Sequence, residues 1–115
     1  MKPFILKQND TLPALIIHVK TRGNLGEVIA FDLDGVTGTT FSMIDNCGNL
    51  KVSKSDATIL CSSGGTLQYS WEVMDTDESG KFIGEFELSY SGSGKLSVPQ
   101  MGGIDIEILK DINPY

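Results

Sequence analysis

The residues best able to do chemistry stand together in WEVMDTDESGKF, Trp71 to Phe82, where Asp75, Asp77 and Ser79 followed by Gly80 spell DxDxSG. A calcium loop begins this way. The ion wants six to eight oxygens, supplied from loop positions one, three, five, seven and nine and closed by a bidentate Glu at position twelve. Counted from Asp75, position twelve is Phe86, so the closing carboxylate and much of the charge are missing. Both flanks alternate with period two and neither is helical. Asp, Thr and Ser here are therefore expected to cap backbone NH groups in a tight connection, with Gly80 at positive φ. The competing reading of Asp75 to Gly80 is a weak, non-helical cation site completed by Glu72, Glu78 or Glu85.

Other chemistry is sparse. His18 is the single histidine; it falls on the less apolar face of a strand with no nucleophile motif such as GxSxG nearby. Asp32 with Asp34 and Asp105 with Glu107 are spaced by two, which on a strand describes one solvated face. Cys47 and Cys61 are too far apart for a CxxC motif and are expected as free thiols at opposite ends of the fold. No glycine cluster leads into the GK[ST] of a phosphate loop. These residues assign no catalytic group, no cofactor-binding group and no metal ligand, and an enzyme is not expected.

The elements that must carry these residues are strands. Between thirteen glycines, apolar residues recur every second position, the period of a half-buried strand. LPALIIHVK sets Leu15, Ile17 and Val19 on one face, and EVIAFDL (Glu27 to Leu33) does the same with Ile29, Phe31 and Leu33. TGTTFSMID aligns Thr39, Phe41 and Met43, and a more polar strand is expected from about Leu50 to Leu60. TLQYSWEV turns Leu67, Tyr69, Trp71 and Val73 inward. KFIGEFELSY does so with Phe82, Phe86, Leu88 and Tyr90, while Gly84 leaves a gap where a ring such as Trp71 could pack. LSVP ends at Pro99, and IDIEI points Ile104, Ile106 and Ile108 at the core. Seven or eight short strands with turns every 8–12 residues predict one all-β domain over residues 1–115, an antiparallel immunoglobulin-like β-sandwich.

Composition narrows the partners. Nine Lys and Arg against fifteen Asp and Glu leave a net charge of -6, which repels phosphate backbones and anionic headgroups, so neither nucleic acid nor a membrane is expected as partner. No apolar run reaches the roughly 20 residues of a membrane helix, and MKPFILKQND lacks the apolar segment and cleavage site of a signal peptide. The apolar PFILKQ (Pro3 to Gln8) and the terminal KDINPY could each pack on a neighbour or form ordinary end strands.

DTLPAL (Asp10 to Leu15), DLDGVTGTTFSM (Asp32 to Met43) and above all GGTLQYSWEVMDTDESGKFIGEFEL (Gly64 to Leu88), with LSVP and IDIEI behind them, resemble the immunoglobulin-like N-terminal domain of phage baseplate upper proteins and its relatives among tail and head proteins of tailed phages. The resemblance spans about residues 10 to 109 and contains no active site. It implies a non-enzymatic bacteriophage virion structural protein, without cofactor, assembled in the host cytoplasm. Such a protein would be an accessory subunit present in many copies and docked on the major capsid protein or on tail and baseplate subunits. The alternative expectation is a soluble carbohydrate- or calcium-binding β-sandwich module.

Overall fold

In a computed structural model, which describes residues 3–99 and 102–112, the alternating stretches become eleven strands: β1 (Phe4–Lys7), β2 (Leu15–His18), β3 (Lys20–Arg22), β4 (Val28–Ala30), β5 (Val36–Asp45), β6 (Leu50–Asp56), β7 (Thr58–Cys61), β8 (Thr66–Tyr69), β9 (Gly80–Tyr90), β10 (Lys95–Val98) and β11 (Ile104–Leu109). The large sheet runs β1-β11-β9-β5-β6, and β10 also pairs with β9. The small sheet is β2-β8-β7, and β3 with β4 makes a separate two-stranded ribbon. An immunoglobulin-like β-sandwich results, as its alternation predicts. Two details differ from the expectation: the strands are more numerous and shorter, and β1 runs parallel to β11.

The extra strands arise where the chain changes sheet. The expected strand from Leu50 to Leu60 breaks at Ala57, whose NH donates to the Thr39 carbonyl at 3.0 Å; β6 before it pairs with β5 and β7 after it pairs with β8. EVIAFDL contributes only β4 at its centre, because β4 pairs with β3 in the projecting ribbon and leaves Ile29 exposed. Leu33 alone of that stretch is fully buried.

Between the sheets lies one continuous apolar core. Leu67 and Tyr69 of β8 meet Phe41 of β5 and Phe86 and Leu88 of β9, all 2% exposed or less. The Phe41 ring stacks on Tyr69 with centroids 4.6 Å apart and meets Trp71 edge-on at 5.7 Å, arrangements that suit the ring quadrupoles. Gly84 does leave a gap, but Phe41 and Ile106 fill it rather than Trp71: a Cβ there would lie 2.6 Å from Phe41 Cζ and 2.8 Å from Ile106 Cδ1. Val73, expected inward, is exposed, because the period-two pattern stops after Trp71 and a 3-10 turn follows at Val73–Asp75. PFILKQ is an end strand of this domain, with Leu6 buried and β1 paired to β11. The last three residues of KDINPY lie outside the described residues.

Candidate functional site

The DxDxSG stretch closes the fold. Its first carboxylate, Asp75, points inward and is 8% exposed; it accepts the Tyr69 hydroxyl at 2.5 Å and the Glu72 backbone NH at 2.9 Å. Burial, reinforced by the Asp75 carboxylate, holds the Tyr69 hydroxyl well above the usual tyrosine range. Thr76, fully buried, donates its hydroxyl to the Asp10 carbonyl at 2.9 Å, and its own carbonyl accepts the Asn9 NH at 2.8 Å. Gln8 Nε2 donates to the Asp77 carbonyl at 2.8 Å. Thr76 and Asp77 thereby latch the connection between β1 and β2 onto the core, while Asp75 anchors the 3-10 turn to Tyr69.

The outward carboxylates already have a cation. Lys51 of β6 donates to Asp77 and, at 3.2 Å, to Glu78. The Asp77 hydrogen bond leads in raising the Lys51 pKa, against a smaller opposing effect of burial. Asp75 is thus turned into the core while Asp77 is tied to an ammonium, so the oxygens of the motif diverge. Gly80 takes φ +145°, the positive value expected of it. Among the described residues no three His, Cys, Asp or Glu side chains converge as a metal site.

The other expected chemical groups are dispersed. His18 lies at the end of β2 with Nδ1 3.1 Å from Thr66 Oγ1. Cys47 and Cys61 are both exposed free thiols; a hydrogen bond from Ser63 and the Gly64 backbone NH hold the Cys61 thiol below its ordinary value. Asp32 accepts the Asp34 NH at 2.9 Å in a turn, and Asp105 and Glu107 alternate along β11 on the outer face.

What the structure adds is a cleft that alternation alone cannot show. β2 pairs only with β8, and β10 only with β9, among the described residues. Along this open side the two sheets part over a cavity of about 430 Å³, walled by Ile17, Val19, Phe31, Leu96, Val98 and Ile104. His18, Lys20 and Thr21 stand at its margin, and Pro99 closes the β10 end. The volume lies within the range of small-molecule sites, which are apolar clefts with a few polar groups fixing orientation. Lys20 makes no ion pair among the described residues. All of these residues except Thr21 fall in stretches that alternation marks as strands or their ends, but β2 and β10 are distant in sequence and nothing local announces that their edges face each other.

No family model matches the chain, and no curated protein matches it. Among solved structures the chain is similar to the crystal structure of CopC from Methylosinus trichosporium OB3b, with a TM-score of 0.53 and 13% identity over 98% of this chain and 89% of that one. At that identity the likeness establishes a shared sandwich fold. It also overturns the expectation of a phage virion structural protein: a sandwich of this shape, matched almost end to end, is found in CopC of Methylosinus trichosporium OB3b, and nothing matched ties the chain to a capsid, tail or baseplate. The strand-and-corner pattern behind that expectation specifies a fold, and a fold is shared by proteins of unrelated function.

Proposed function

We propose that this protein is a non-catalytic binding module whose cleft between β2 and β10 takes a small, mostly apolar ligand carrying an anionic end. The observation that carries this reading is the cavity of about 430 Å³ itself, apolar on both walls, with the Lys20 ammonium, which has no ion pair among the described residues, at its mouth. The apolar walls supply affinity at roughly 25 cal/mol per Å² of surface removed from water, and Lys20 with His18 orients the charged end. In this reading His18, the single histidine, serves orientation, its ring already held by Thr66 Oγ1 at 3.1 Å.

The probe is 8-anilinonaphthalene-1-sulfonate, an apolar ring system with one anionic group, titrated against the folded protein well below its melting temperature. The dye brightens on binding, Leu96→Trp fills the cleft and weakens binding by about tenfold or more, and Lys20→Glu weakens it severalfold, an effect relieved by salt. Bound ligand also raises the melting midpoint. A folded protein that leaves the dye dark, or a Leu96→Trp variant that binds it as tightly as the parent, overturns the proposal.

A further inference from the structure

We infer that the β3–β4 ribbon is an arm that docks on the outer face of the large sheet of a second copy of this chain, making a head-to-tail contact. Cross-strand pairing sets Lys20 beside Ala30 and Arg22 beside Val28 on one face of the ribbon. Val28 is 63% exposed, and Leu25 at the tip is 94% exposed. The tip is ordered by its own bonds: Arg22 donates to the Gly26 carbonyl at 3.0 Å and Glu27 accepts the Leu25 NH at 3.1 Å. With Lys20 and Arg22 against the single acid Glu27, the arm is a basic, apolar projection from a chain whose net charge is -6.

The seat is chosen by charge. The cleft between β2 and β10 carries Lys20 and His18 at its own margin and would repel the arm. The outer face of the large sheet has the opposite sign. There Ile5 and Ile83 are 51% and 42% exposed, and Asp105 stands directly across from Ile83, with Glu107 across from Lys81 and Ile5. Lys81, Ile83, Asp105 and Glu107 line a depression of about 290 Å³ together with Pro3 and Asn46. Two acids outweigh the one lysine in it, and its apolar floor matches the apolar residues of the arm. Arm and seat are different surfaces, so each copy that offers its arm leaves its own seat free, the arrangement that builds rings or filaments.

The test is sedimentation velocity on the full chain across a concentration series. The parent associates increasingly with concentration, and less so at high salt. An arm variant (Arg22→Glu with Val28→Asp) and a seat variant (Ile83→Lys with Asp105→Lys) each weaken association by about tenfold or more. Mixed in equal amounts, they form a one-to-one dimer that grows no further, since one working arm then meets one working seat. All four positions are exposed, and Leu25→Asp at the tip provides a second arm variant should the first fold poorly. Dye binding in the cleft is unaffected by the arm substitutions, which separates this contact from the ligand site. A parent that stays monomeric up to about millimolar concentration, parent-like association in the variants, or a mixture that does not pair overturns the inference.

Discussion

Replacing Asp75 by alanine tests the claim that the DxDxSG motif serves folding. The substitution removes the acceptor for the Tyr69 hydroxyl and for the Glu72 NH, two bonds to a buried carboxylate. Hydrogen bonds to a charged group contribute about 1.5–3 kcal/mol each, and the orphaned hydroxyl stays buried, so the expected loss is about 3–5 kcal/mol. For a domain of this size that lowers the melting temperature by roughly 15 °C or more. Tyr69→Phe removes only the hydroxyl and leaves the Asp75 bond to Glu72, costing about 1–2 kcal/mol. The double variant is then less destabilised than the sum of the two, by the energy of the shared bond. Urea unfolding of the four proteins, each with and without millimolar calcium, reads all of this. An Asp75→Ala variant within about 1 kcal/mol of the parent refutes the folding role of the Asp75 carboxylate. So does a calcium stabilisation of the parent that vanishes in the variant, because it would return Asp75 to the role of ligand.

Two further outcomes follow from the same core. Gly84→Ala drives a Cβ against the Phe41 ring and Ile106 Cδ1 and is expected to cost about 1–3 kcal/mol in urea unfolding, although the backbone there needs no glycine φ. Because burial raises the Tyr69 pKa in the folded state, its contribution to stability is complete below the unfolded tyrosine value of about 10 and is lost as pH rises beyond it. An alkaline melt series should show stability falling above about pH 10, with a shallower fall in Tyr69→Phe.

Most of the core was legible because its code is local. A strand shows alternate side chains to one face, so the phase of Phe41 and Met43, of Leu67, Tyr69 and Trp71, and of Ile104, Ile106 and Ile108 follows from spacing alone, and each is buried. Phe86 at position twelve likewise argues, from spacing alone, against a helical calcium loop. What alternation could not say is where a strand ends: Val73 continues the period in sequence, yet the 3-10 turn that aims Asp75 at Tyr69 puts it outside. The same limit hid the break at Ala57 and the pairing of β3 with β4 outside both sheets.

Residue order alone therefore determined the all-β class, the inward set of side chains and the lack of any local catalytic motif, since each depends on neighbours within a few positions. Tertiary structure alone decided that Lys51 would neutralise Asp77 and Glu78 from 26 and 27 residues away, that the edges of β2 and β10 would face each other over a cleft, and that β3 and β4 would pair with each other rather than with either sheet. These depend on how strands are shared between sheets, and that is a global competition for pairing partners which no short window of sequence records.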